Sequence, residues 1–192
     1  MRRRRLLGLA AAATAGTAAG CLGGGPTAGE GSGDGGGDGE DDGEGDGSGS
    51  DGDGVDWPTG TYADYETTTV TVENSAGEEL GSVTAAIADD GEKRPLGLSD
   101  AEALPEDGGM LFTYASPRDL TFIMPDMSFG IDIVFVGGDR EITRIHNAPE
   151  PGPNEDGSEQ KYPGSGQYVL EVPYEWTDRH GVEVGDSLAF DL

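Results

Sequence analysis

At 192 residues the chain suits one domain, or one domain with appendages. Its 38 acidic side chains against 11 basic ones, a net charge of -27, leave no basic stripe to neutralise phosphates and argue against a nucleic-acid partner. One cysteine and two histidines are too few nitrogen and sulfur ligands for a zinc site, and no cofactor or metal is expected.

The chain begins with Arg2–Arg5, then an apolar stretch, Leu6–Ala19, then the small residues Ala18-Ala19-Gly20 before Cys21. A positive start, an apolar run and a small-residue approach make an export signal over 1–21. Arg3 and Arg4, followed by Arg5-Leu6-Leu7, fit the twin-arginine pattern, a route for chains that fold before export. The stretch resembles a bacterial or archaeal lipoprotein signal, which makes Cys21 the lipid attachment point. Lipidation also removes the reactive thiol that an exported protein would otherwise carry. An uncleaved spanning helix is the competing reading, but Leu6–Leu22 is short and rich in Ala and Gly. Both readings place the rest of the chain outside the cell membrane, on its outer face.

Residues 22–56 hold 16 glycines and 11 acids with no basic residue, so the segment has almost nothing apolar to bury. It reads as a disordered tether. Asp42-Gly43-Glu44-Gly45-Asp46-Gly47 with Asp53 loosely follows a calcium-loop order, but no helices flank it, and Gly/Asp tracts produce such matches by chance. Beyond it, 57–192 is 136 residues, enough for one independent core. That part carries 27 acids against seven bases, spread along its length. Such self-repulsion weakens a compact domain in dilute buffer and is screened in molar salt, where the Debye length is about 3 Å. A halophilic protein is the expectation.

From Tyr65 onward the pattern has mostly period two. Strands are expected at 66–73, at 80–88, at 110–114 and 120–124 either side of a Ser116-Pro117-Arg118-Asp119 turn, at 131–136 and 141–146 either side of a 137–140 hairpin turn, at 167–172 and at 187–191. Two short helices complete the set, one opened by a Ser99/Glu102 capping box, the other starting at Pro173 and ending at Gly181. About eight strands and few helices predict a mainly β domain, an antiparallel sandwich or barrel.

Within this pattern stand Arg94-Pro95-Leu96-Gly97-Leu98, Leu104-Pro105, Gly109-Met110-Leu111-Phe112, Phe122 and Met124, Ile131-Asp132-Ile133 with Phe135, Asn147-Ala148-Pro149, Tyr168-Val169-Leu170-Glu171 and Gly185-Asp186. In that order they resemble the family known as domain of unknown function 192, across roughly 83–190. The resemblance implies a compact β-sandwich-like fold with no established activity. Ile123, Pro125 and Asp126 depart from the Trp, Lys and Asn common in the family, so a family site there would have altered chemistry.

No constellation commands a reaction. His146 ends a strand and His180 closes a helix, and no serine stands in a nucleophile-elbow context. Asp132 sets a charge inside the apolar run IDIVFV. It is read either as a polar residue on the outer face of a half-buried sheet or as the partner of Arg94, in a structural ion pair or in the wall of a polar pocket. The loop 147–166, rich in Pro and Gly with Tyr162 and Tyr168 beside it, suits a polar small molecule or a carbohydrate. Arg94, Asp126, Asp132, Asn147 and Tyr168 are therefore the candidate polar site. The leading expectation is a membrane-tethered accessory or ligand-binding domain without catalysis. The alternatives are an envelope-polysaccharide hydrolase using Asp126 or Asp132, and a purely structural envelope protein.

Overall fold

The computed structural model describes residues 56–192. The export signal, Cys21 and all of the tether except Asp56 lie outside the described residues.

Seven strands form one sheet: β1 (Thr67–Glu73), β2 (Glu79–Ala88), β3 (Gly108–Phe122), β4 (Ile131–Val136), β5 (Ile142–Ala148), β6 (Tyr162–Pro173) and β7 (Ser187–Ala189). Their order across the sheet is β5-β4-β6-β3-β2-β1-β7. All neighbours are antiparallel except β2 and β3, which run parallel. A parallel pair needs a long crossover. Residues 89–107 supply it and carry the helix α1 (Lys93–Leu96). The second helix, α2 (Trp176–His180), lies between β6 and β7. The sheet curls until its edges meet at one end: Glu141 bridges to Ser187, and the Ile142 N–H donates to the Asp186 carbonyl. The mainly β class with two short helices is as expected. Among the described residues no helix is long and apolar enough to cross a membrane.

Curling gives the sheet two apolar faces. The first packs Val70, Val83, Leu111, Val134, Leu170 and Val172 under Trp176 of α2. The second packs Met110, Phe112, Ile131, Ile133, Phe135 and Val169 under the crossover and the β3–β4 connection. Strands buried on both sides lose the polar–apolar alternation, and β4 is buried at all six positions.

Four sequence expectations are corrected. The two runs at 110–114 and 120–124 belong to one strand, so seven strands replace about eight. The chain does bend where the turn was expected, but without leaving the sheet. Thr113 pairs with Tyr168 and Arg118 with Gly166, so 114–117 bulge opposite the single residue Gln167. Pro117 has no N–H to offer a ladder, and a bulge is where a strand tolerates that. The bend is severe: Phe112 and Phe122 stand ten positions apart, about 33 Å in a straight strand. Their rings meet edge to face with centroids 4.9 Å apart.

The first helix is Lys93–Leu96, ahead of the expected capping box, because the Asp90 carboxylate accepts from the N–H groups of Glu92 and Lys93. Ser99 caps nothing; its hydroxyl donates to the Pro125 carbonyl. Finally, β5 runs to Ala148 and β6 begins at Tyr162, which shortens the loop read as 147–166. Helix α2 starts at Trp176 rather than Pro173, and Gly181 ends it as expected, in the left-handed region with φ 67°.

Candidate functional site

The proposed polar site does not assemble. Asp132 and Arg94 are not paired, and Asp132 is not on an outer face. It is fully buried on the first face, where Oδ1 accepts from the Glu175 N–H at 2.9 Å and Oδ2 from the N–H and hydroxyl of Thr177 at 2.8 and 2.6 Å. Burial raises its carboxyl above the ordinary aspartate range, and the three donors pull it back. This acid ties down the start of α2. Asn147, its partner across β4–β5, donates to Asp178 of the same helix. Tyr168 is a core residue, met edge on by Phe190 and covered by the Arg140 guanidinium. Asp126 is exposed on a turn, at φ 57°. The two histidines serve packing: His180 stacks on Trp176 with centroids 4.1 Å apart, and His146 bonds the Pro163 carbonyl.

Of these residues, Arg94 lines a cavity. This pocket, of about 320 Å³, lies on the second face. The crossover contributes Arg94–Ser99, and the bent β3 contributes Phe112, Tyr114 and Leu120–Phe122. The β3–β4 connection adds Ile123–Pro125 and Met127, and the sheet floor adds Ile131 and Glu171. The bend in β3 makes the wall, since it brings both ends of one strand around the same space. Arg94 is held at the pocket by its own turn: Nε donates to the Thr113 carbonyl at 2.9 Å, Nη2 donates to the Asp89 carbonyl, and the guanidinium stands 4.9 Å over the Tyr114 ring.

Glu171 is the residue that sequence reasoning missed. It is 4% exposed, mid-strand in β6, with Met110 of β3 and Ile133 of β4 on either side, both fully buried and apolar. No described residue donates a hydrogen bond to its carboxyl and none forms an ion pair with it; the carboxyl oxygens are not sealed in the core but open on the cavity. Burial alone pushes its pKa up to about 8, so at neutral pH the group is largely protonated. A cavity at the small end of the usual range for ligand sites, mostly apolar in lining and with a carboxyl on its floor, has the make-up of a small-molecule site. The available signal was the charge inside YVLEVP, the same kind of signal that drew attention to Asp132 in IDIVFV.

The family described as uncharacterized ACR, DUF192, matches residues 71–190. The chain belongs to the DUF192 family. Two solved structures are similar to it. One is a protein of Sinorhizobium meliloti 1021 provisionally named a transcription regulator, 28% identical, covering 66% of this chain and 95% of that one at a TM-score of 0.59. The other is a protein of unknown function from Novosphingobium aromaticivorans DSM 12444, 27% identical, covering 66% of this chain and 87% of that one at a TM-score of 0.58. No curated protein matches the chain. Five of the eight stretches that carried the resemblance to DUF192 contribute to the cavity, through Arg94–Leu98, Phe112, Phe122 and Met124, Ile131 and Glu171; Leu104-Pro105, Asn147–Pro149 and Gly185-Asp186 do not line it. Ile123 and Pro125, two of the positions that depart from the family pattern, line it too.

Proposed function

We propose that this chain is an exported, membrane-tethered domain that binds a small, largely apolar molecule in the pocket over Glu171. One observation carries the reading: a carboxyl with no partner among the described residues forms the floor of a cavity lined mostly by apolar side chains. An isolated buried acid costs stability unless something satisfies it. A bound molecule with one polar group does so. The twin-arginine pattern, the small residues before Cys21 and the acid-rich tether support placement on the outer face of the membrane of a high-salt cell. The name given to the S. meliloti protein does not transfer, because the imbalance of 38 acids to 11 bases repels phosphates.

The test is a thermal-shift screen of the full-length protein in molar salt, run beside Leu120→Trp, which fills the pocket from its wall. Compounds that raise the wild-type midpoint and not that of the variant support the reading. Equal shifts in both proteins, or none in either, remove it. Placement is tested separately: Cys21→Ala should move the protein from the membrane fraction to the medium.

A further inference from the structure

Resting on the reading of the pocket as a ligand site, we propose that its occupant is a protonated amine on a compact apolar or aryl body, with the Glu171 carboxylate as counter-ion to the ammonium group. The surroundings of Glu171 select this chemistry. Its two strand neighbours are Met110 and Ile133, which have nothing to donate. The ionisable groups that face it are Tyr62, beneath the crossover, and Tyr114 on β3. The Tyr62 hydroxyl accepts from the Asp100 N–H at 3.1 Å, and no hydrogen bond joins either tyrosine to Glu171. The one cation lining the cavity, Arg94, is committed to the Thr113 and Asp89 carbonyls and to the Tyr114 ring. Among the described residues none gives this acid an ion pair or a hydrogen bond, and an ammonium group supplies both, with three N–H donors.

The rest of the pocket fits the same ligand. Phe112 and Phe122 in the lining give the ligand's apolar body aromatic surface to pack against. The acid excess of the chain attracts cations and repels anions. An alcohol bonds a protonated Glu171 without cancelling any charge. A carboxylate ligand gains only Arg94 at the rim and meets a second acid inside.

Binding couples to a proton. At pH 7 free Glu171 holds its proton and the amine arrives as R–NH3+. In the complex the glutamate is ionised beside the ammonium, and one H+ passes to the buffer. Charge balances, and no bond other than the acid O–H is broken.

The experiment is calorimetric titration of the full-length protein at pH 7 with three probes of similar shape: 2-phenylethylamine, 2-phenylethanol and 3-phenylpropionate. Each titration is repeated in two buffers of different ionisation enthalpy. The amine should bind at least about ten-fold more tightly than the alcohol, the acid more weakly than either, and only the amine should release about one proton. Glu171→Gln should bring the amine down to the affinity that the same variant shows for the alcohol and abolish the proton release. An alcohol that matches the amine, or amine binding without proton release, overturns the amine assignment and leaves the pocket a ligand site. Binding by none of the three, together with an empty thermal-shift screen, overturns both. The wild-type series with its proton count decides the matter even if Glu171→Gln does not fold.

Discussion

Asp132 and Glu171 are both acids buried in adjacent central strands, and they point to opposite faces of one sheet. On the first face Asp132 receives three hydrogen bonds from the start of α2. On the second face Glu171 receives none and opens on a cavity. Burial is common to both; the supply of donors is not. A buried acid with its donors is a fastening, and its removal strands the donors. A buried acid without them is a cost that the fold carries, and its removal relieves it. Opposite signs of mutational effect arise from chemically similar residues.

The sharpest way to break this contrast is Asp132→Ala. It leaves two backbone N–H groups and the Thr177 hydroxyl without an acceptor in a closed core, and unfolding in denaturant should show a loss of about 4–5 kcal/mol. Ligand binding on the other face should survive under conditions where the variant is folded. Glu171→Gln is the converse. The unfolded chain releases this proton near the ordinary 4.5, and the folded one holds it until about 8. Across that window the native state binds more protons, so wild-type stability falls as pH rises, by about 1.4 kcal/mol per unit from this one group. Measured at pH 5 and again at pH 8, the stability of the glutamine variant relative to wild type should improve by on the order of 3 kcal/mol. A difference that stays flat with pH would put a hidden partner beside Glu171.

These two acids also mark where sequence reading succeeds and stops. Periodicity places β1, β2 and β4 within a residue or so, the 137–140 turn is real, and Gly181 ends α2. The sequence shows a charge in IDIVFV and another in YVLEVP, but the donors that separate them are mostly backbone N–H groups of Glu175 and Thr177, brought across from another element. No letter of the sequence records where a backbone N–H ends up. Arg94 was legible as a pocket residue and its supposed pairing with Asp132 was not, because the two lie on different faces. The pocket itself depends on the fold of β3 at Tyr114–Pro117. That bend looks in sequence like a loop between two strands, and only pairing with β6 reveals a continuous one.

A smaller effect tests whether the second face is closed tightly everywhere but at the pocket. Gly164 of β6 passes beneath the fully buried Phe135, and an added Cβ would lie 2.5 Å from the ring. The ring is fully buried and must shift, so Gly164→Ala should cost about 2 kcal/mol in denaturant unfolding and leave the Asp132 side intact. A neutral result would mean that the face yields, and that the cavity is one of several soft places rather than a built site.

The smallest expected effect completes the comparison, because it concerns the same helix that Asp132 holds. Arg179 of α2 makes a two-pronged contact with Glu106, at 2.7 and 2.9 Å from one nitrogen. Both side chains are well exposed, 44% and 63%. In water the attraction is small, the two long side chains give up rotamer freedom, and salt screens what remains. Glu106→Gln should therefore change stability by less than about 0.5 kcal/mol in dilute buffer and by nothing measurable in molar salt. Asp132 and Glu106 bind the same helix with comparable hydrogen-bond lengths, so a large loss at Glu106 would show that geometry alone sets the strength of these contacts. A large loss at Asp132 with none at Glu106 would show that exclusion of water sets it, which is the property that also distinguishes the Glu171 pocket.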